Sequence, residues 1–142
     1  MMKRTVQMSG LLLALCVTAA GTWAQTKPAD FGQREYLASC ATCHGADAKG
    51  SGPLRPYLTK SPGDLTVLAK KNGGILPAAR MYAVIEGSQE VAGHGSRDMP
   101  AWGYNYRLQA AEYYMDVPYN ADAFVRAKIL ALIEYINRVQ VK

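Results

Sequence analysis

Apolar residues near the end of the chain recur at the spacing of one face of an α-helix. Intervals of three and four residues are the period of an amphipathic helix, and they connect Phe124, Val125, Ile129, Leu132, Ile133 and Ile136. Asp122 precedes this run, and an aspartate can accept hydrogen bonds from the first free backbone N–H groups of a helix. The pattern predicts a long final helix capped by Asp122.

Three shorter helical segments are predicted upstream, each after a residue that favours a helix start. Asp30 precedes the first, which carries Phe31, Tyr36 and Leu37. Asp64 precedes the second, which runs through residues 65–71 and ends at Asn72-Gly73-Gly74. Pro77 begins the third, which continues until Gly87, because proline favours the first turn of a helix and glycine its end.

The remaining segments are long loops, and no strand pattern of comparable strength is present. Residues 45–63 are rich in Gly, Pro, Ser and Lys, which is turn and loop chemistry. The prediction is therefore an all-α domain of three to four helices with long loops. So short a chain with so much loop has little core of its own, and a large apolar cofactor bound inside the loops would supply one.

The first 24 residues have the pattern of a secretory signal. Lys3 and Arg4 form a basic start, residues 11–20 are nearly all apolar, and Thr22-Trp23-Ala24 offers small residues for cleavage. A retained anchor is the alternative, but the apolar stretch is shorter than a spanning helix needs. We expect a signal peptide over residues 1–24, a single domain over residues 25–142, and a periplasmic location.

Composition and charge argue against two classes of function, nucleic-acid binding and a polybasic membrane surface. The hydrophobic fraction of 49% is that of a globular protein, and the formal charge is +5. Removal of the signal would take away two basic residues and no acidic one. Because no run of five or more like charges occurs, nucleic-acid binding or a polybasic membrane surface has little support.

The chemistry resides in Cys40-Ala-Thr-Cys43-His44, which directly follows the first predicted helix. In Cys-x-x-Cys-His the two thiols bond covalently to a haem, and the adjacent histidine faces the iron. A zinc site would need further ligands, and the distant His94 is the remaining candidate. A redox-active Cys-x-x-Cys would be expected in alternating strands and helices, which the chain lacks.

A pure electron carrier needs a sixth iron ligand, because six-coordinate iron leaves no position for oxygen or peroxide. Methionine is the expected ligand, since its soft thioether raises the potential. Met81 lies on the apolar side of a predicted helix, where packing is its default role, and Met115 has no local constraint. Met99 lies in a loop bounded by glycines and Pro100 and is the preferred candidate; His94, on the same loop, is the rival.

Taken in order, these motifs resemble the class I c-type cytochromes of bacterial periplasms. The resemblance covers residues 30–138 and rests on the first helix with Gly32 and Tyr36, Cys40-Ala-Thr-Cys-His44, Gly52-Pro53, Asp64-Leu-Thr66, Gly73-Gly74, His94-Gly95, Met99-Pro-Ala-Trp-Gly103 and the final helix. It implies a cytochrome c fold around one covalent haem c, with His44 and Met99 as the iron ligands.

The resemblance also implies roles for residues around the haem. The first and last helices would cross where Gly32 approaches Ala131 and Tyr135. The carbonyl of Pro53 would accept the proton of His44, which orients the imidazole. Arg55 and Trp102 would contact the haem edge or its propionates.

The expected function is single-electron transfer by a periplasmic monohaem cytochrome that is not an enzyme and works with unidentified donor and acceptor proteins. One alternative is the electron-accepting subunit of a dehydrogenase or oxidase complex. Another is a haem enzyme or sensor with an open iron position. The stretch from Tyr104 to Asn120 holds five tyrosines, either as a lid packed on the haem edge or as a docking surface for a redox partner.

Overall fold

The structure, a computed structural model, describes residues 30–89, 99–115 and 120–142. Within these ranges the chain is helical and contains no strand, as the all-α prediction requires. The helices are α1 (Phe31–Ser39), α2 (Ala41–His44), α3 (Leu68–Lys71), α4 (Ala78–Glu86), α5 (Trp102–Tyr113) and α6 (Ala121–Arg138), with 3-10 turns at Arg55–Tyr57 and Leu65–Val67. Two of these α-helices, α2 and α3, are single turns.

The predicted ends of the shorter helices are confirmed. The Asp30 side chain accepts a hydrogen bond of 3.0 Å from the Gln33 N–H at the start of α1. Asp64 likewise accepts one of 2.8 Å from the Thr66 N–H, at the turn that leads into α3. Gly87 ends α4 in the left-handed conformation with a φ of 101°.

The predicted cap of the last helix is wrong by two residues. The Asn120 side chain, not that of Asp122, accepts the hydrogen bond from the Ala123 N–H at 3.0 Å. Because α6 begins at Ala121, Asp122 lies inside its first turn. There its carboxylate pairs instead with the guanidinium of Arg107 at 3.1 Å.

Helix α5 was not predicted and accounts for most of the tyrosine-rich stretch. Its buried positions are Gly103, Tyr106 and Ala110, which have helical spacing. Two of these three residues are too small to register as an apolar face, and the large apolar residues Tyr104 and Leu108 of the same helix are exposed. The apolar pattern of the sequence therefore does not identify the buried face of α5.

The core lies where α6 packs against α1, α5 and α4. Its buried members are Tyr36, Ala48, Met81, Ile85, Tyr106, Val125, Ile129, Leu132, Ile133, Tyr135 and Ile136. The apolar face predicted for the last helix supplies many of them. Met81 is 8% exposed and belongs to this core, as its predicted packing role requires.

The crossing of α1 and α6 depends on a glycine, as expected from the resemblance. A Cβ on Gly32 would overlap the backbone carbonyl of Ala131 and lie 3.2 Å from the Cβ of Tyr135. Only a residue without a side chain permits the two backbones to approach this closely. Gly32 therefore sets the position of α1, which leads into the cysteine motif.

No helix in the described ranges is both long and apolar enough to span a bilayer. The predicted signal peptide lies outside the described residues.

Candidate haem-attachment site

The Cys-x-x-Cys-His motif begins where α1 ends and forms the single turn of α2. Cys40 closes α1, and its N–H donates to the Tyr36 carbonyl at 2.8 Å. Both Cys40 and Cys43 are free thiols and partly buried. Because residues three apart lie on the same face of a helix, this turn presents both thiols to the same side.

The two thiols are in different surroundings. Burial raises the pKa of the Cys40 thiol to about 12, and the negative charge of Glu35 adds to the effect. Cys40 also packs against the core cluster. It is therefore the inner of the two attachment positions, held against the end of α1.

The loop after the motif folds back and is hydrogen-bonded to it. The N–H groups of Gly50, Gly52 and Leu54 donate to the carbonyls of His44, Cys43 and Thr42, at 2.7, 3.1 and 3.0 Å. A Cβ on Gly52 would overlap the Thr42 carbonyl oxygen and lie 2.6 Å from the Cys43 carbonyl oxygen, so only glycine fits there. The glycine-rich loop thus fixes the motif and holds Pro53 beside it.

A tyrosine of α1 fixes the other end of the motif. Tyr36 is fully buried, and its hydroxyl donates to the Gly45 carbonyl at 2.7 Å. Its ring also lies 5.0 Å from that of Tyr135 on α6. The sequence identified Tyr36 as a helix position but gave no sign of this hydrogen bond, which joins residues nine apart.

His44 is partly buried at the end of α2. Its Nδ1 lies 3.4 Å from the carbonyl oxygen of Gly63, in the loop before Asp64. A carbonyl near this nitrogen would orient the imidazole and leave metal binding to Nε2. The predicted partner, the Pro53 carbonyl, stays a prediction; Pro53 is exposed and sits between the loop anchors Gly52 and Leu54.

Met99 and Trp102 lie at the start of α5. Both are partly buried and pack against the same core cluster as Cys40. The Trp102 ring is 6.0 Å from that of Tyr106. Arg55, by contrast, is exposed, and its Nε donates to the Ser61 Oγ at 3.3 Å.

The structure therefore brings Cys40, Met99 and Trp102 onto one core and places Pro53 and Arg55 in an exposed loop. The rival ligand His94 lies outside the described residues. Met115 is 80% exposed and packs against nothing in the core.

These residues fit a haem bound through its edge. Free thiols three residues apart and an adjacent histidine are the donor set that the group requires. Partly buried apolar side chains surround the core and could contact a large flat ring; besides Met99 and Trp102 they include Leu65, Leu68, Leu76 and Tyr82. The buried Tyr106 hydroxyl makes no hydrogen bond of good geometry among the described residues, although Glu35 and Ser39 lie near it. No cluster of three or more His, Cys, Asp or Glu side chains that could hold a metal occurs in the part of the chain that the structure describes.

Comparison with known proteins identifies a family. The family model described as cytochrome c oxidase, cbb3-type, subunit III matches residues 27–115, which is well over half of the chain and includes the motif, Met99 and α5. No curated protein and no solved structure matches the chain.

Proposed function

Because the chain belongs to the family of the cbb3-type cytochrome c oxidase subunit III, a c-type cytochrome family, we propose that it is a periplasmic monohaem cytochrome that transfers single electrons. Covalently attached haem c and haem-based electron transfer follow from the family. To this the proposal adds that the chain carries one haem, that His44 and Met99 ligate its iron, and that the protein is periplasmic.

When bound, the haem supplies one-electron exchange between ferrous and ferric iron. Cys40 and Cys43 would bind it, and His44 and Met99 would hold the iron. The main support for this ligand assignment is that Met99 and Trp102 pack on the same core as Cys40, although about 60 residues separate them from Cys40 in the sequence. Family members are in general electron carriers and not enzymes, which supports this proposal.

A single covalent haem is tested by mass. The mature protein should exceed the mass of its processed polypeptide by one haem, because both thiols that remain after signal removal lie in one motif. Acid-acetone should leave the haem on the chain, and Cys40→Ser with Cys43→Ser should lose it. A second haem, or a free thiol pair in the isolated protein, would contradict the proposal.

The sixth ligand is tested by Met99→Ala. The haem should stay attached, the potential should fall, and carbon monoxide should bind to the opened iron. Met115→Ala is the matched control, because this side chain is 80% exposed and its loss should change none of these properties. The assignment is wrong if the far-red sulfur-to-iron band survives in Met99→Ala.

Export is tested by the N-terminus of the mature protein. The proposal places cleavage after Ala24 and the protein in the periplasm. Sequencing of the protein isolated from a periplasmic fraction should begin at Gln25. A chain that keeps residues 1–24 and sediments with membranes would instead support the retained anchor.

The second candidate is the electron-accepting subunit of an oxidase complex, and the description of the matched family favours it. A subunit needs a permanent binding surface in addition to its haem. If the purified protein elutes with a larger membrane-bound oxidase, this candidate replaces the free carrier. Elution of the loaded cytochrome alone from gently solubilised cells supports the carrier.

The sequence leaves two interpretations of the tyrosine-rich stretch, packing on the haem edge or docking of a redox partner. Different residues of the stretch support each of them. Tyr106 is fully buried, which supports the packing interpretation for that residue. Tyr104 and Leu108 lie one turn apart on α5 and are 64% and 53% exposed. This exposed apolar stripe on α5 is the proposed contact with a redox partner.

The stripe is tested by reduction kinetics. Tyr104→Ala should slow electron transfer with the native partner protein but not with a small inorganic reductant, while melting temperature and haem spectrum stay unchanged. Ile75→Ala is the control, because Ile75 is 72% exposed on the side where α4 meets α6. Equal slowing with both reductants would assign the stripe to packing.

A further inference from the structure

A buried ion pair joins the first and last long helices beside the attachment motif. The Lys128 ammonium of α6 lies 2.9 Å from the Glu35 carboxylate of α1, and the two side chains are only 13% and 10% exposed. The remaining ion pairs of the described residues have at least one partner that is more than 40% exposed. Among the described residues, this pair is therefore the one with both charges removed from solvent.

Neighbouring side chains hold both charges in one arrangement. The Ser39 hydroxyl donates to the second Glu35 oxygen at 3.0 Å, and Lys128 also donates to the Gln109 side chain at 2.7 Å. The ammonium lies 4.8 Å from the centre of the Tyr106 ring and 5.4 Å from that of Phe124. Polar and aromatic partners from α1, α5 and α6 thus surround the pair.

Stability alone does not account for such a pair. Two charges lose their hydration when they are buried, and well-packed apolar residues of similar size stabilise a fold as much or more. A buried charge also acts on the groups around it, because the protein interior screens it less than water does.

The carboxylate end of the pair lies close to the attachment cysteine. Glu35 is on α1, and Cys40 is the residue that caps the end of this helix. Ser39, which donates to Glu35, is the neighbour of Cys40. After burial, the negative charge of Glu35 is the largest cause of the raised pKa of the Cys40 thiol, so its field acts at the attachment position.

We propose that Glu35 and Lys128 set the reduction potential of the haem attached at Cys40, with the carboxylate on the near side favouring the oxidised state. A negative charge stabilises the additional positive charge of ferric iron, and the interaction is strong in a region shielded from water. Lys128 partly offsets this charge and holds it in place. The inference rests on the proposed electron-transfer function.

The test is a redox titration of the loaded protein at pH 8, where carboxylates are ionised. Glu35→Gln should shift the potential upward and Lys128→Gln should shift it downward. Glu35→Asp and Lys128→Arg, which keep the charges, should remain near the wild type. Glu134→Gln and Arg126→Gln are matched controls, because both residues are exposed on α6 and their loss should shift the potential little.

A purely structural role gives a different pattern. Looser packing would expose the haem to water in both variants and shift both potentials in the same direction, together with the melting temperature. Shifts in the same direction, or shifts no larger than those of the controls, would overturn the inference.

If a single substitution prevents folding, the exchanged pair Glu35→Lys with Lys128→Glu decides the matter. It keeps the pair neutral and should raise the potential; an unchanged or lower potential would refute the proposal. Failure of the proposed function is recognised separately, since the wild-type protein would then carry no covalent haem.

Discussion

Replacement of Gly32 by alanine tests whether the crossing of α1 and α6 organises the fold. The new methyl group would overlap the Ala131 carbonyl and lie 3.2 Å from the Tyr135 Cβ. Neither neighbour can move away easily, because one is helix backbone and the other belongs to the buried core. The two helices must separate, and α1 carries the attachment motif at its end.

Two opposing contributions set the size of the effect. Alanine is a better helix former than glycine by about 1 kcal/mol, which favours the variant. Overpacking against a backbone that cannot relax costs about 3 kcal/mol, the upper part of the usual range. The free energy of unfolding should therefore fall by about 2 kcal/mol, and for a domain slightly above 100 residues the melting temperature should fall by roughly 8 °C.

The measurement is thermal unfolding followed by circular dichroism at 222 nm, with Gly63→Ala as the control. A Cβ on Gly63 would have no neighbouring atom within 4 Å, and the residue has no positive φ, so alanine there should be neutral or slightly stabilising. A Gly32→Ala variant that melts at or above the wild-type temperature would show that helix propensity outweighs the close approach, and the argument from the crossing would fail.

Three further substitutions and a change of pH have definite expected outcomes. Tyr36→Phe should lower the free energy of unfolding in urea by about 1 to 3 kcal/mol, because the buried Gly45 carbonyl loses its donor. Asn120→Ala should cost about 1 kcal/mol as the loss of a true cap, and Asp122→Ala less, since its ion pair with Arg107 is exposed. Burial raises the pKa of Tyr36 and of Tyr106 above the usual value of 10.0; urea midpoints should therefore hold below pH 10 and fall above it, where the unfolded chain ionises first.

Local signals made much of the fold predictable. Asp30 and Asp64 cap the segments that follow them, and Gly87 ends α4, because each acts on backbone groups within a few residues. The face of α6 was readable for a similar reason, since large apolar residues occupy its inward positions. The Asp122 prediction failed by two residues because Asn120 and Asp122 can both accept from a free N–H, and only the observed start of the helix decides between them.

Helix α5 escaped prediction because its inward positions are not the apolar ones. Gly103 and Ala110 are buried through close packing, and a Cβ on Gly103 would lie 2.6 Å from the Glu86 carbonyl oxygen of α4. Tyr104 and Leu108 face outward instead. Because large apolar residues lie on the outer side of α5 and two of its three buried residues are small, the periodicity that identifies an amphipathic helix is absent.

The candidate site also contains residues that the sequence identifies and residues that it does not. Cys40, Cys43 and His44 are recognisable from spacing, because attachment chemistry requires them to be neighbours in sequence. Glu35 and Lys128 are not, because 93 positions separate them and a charged residue on a helix is by default on the solvent side. Only the packing of α1 against α6 makes them a pair.

The contacts of Gly32, Glu35 and Tyr36 depend on one another because all three residues are on helix α1. Within nine residues, Gly32 fixes its distance from α6, Glu35 meets Lys128, and Tyr36 binds the carbonyl that follows the motif. These contacts lie on successive turns of a rigid helix, so none can shift without moving Cys40. The position of the attachment cysteine, the field at that cysteine and the stability of the core are therefore set by the same helix–helix contact, and a substitution that loosens this contact should alter all three together.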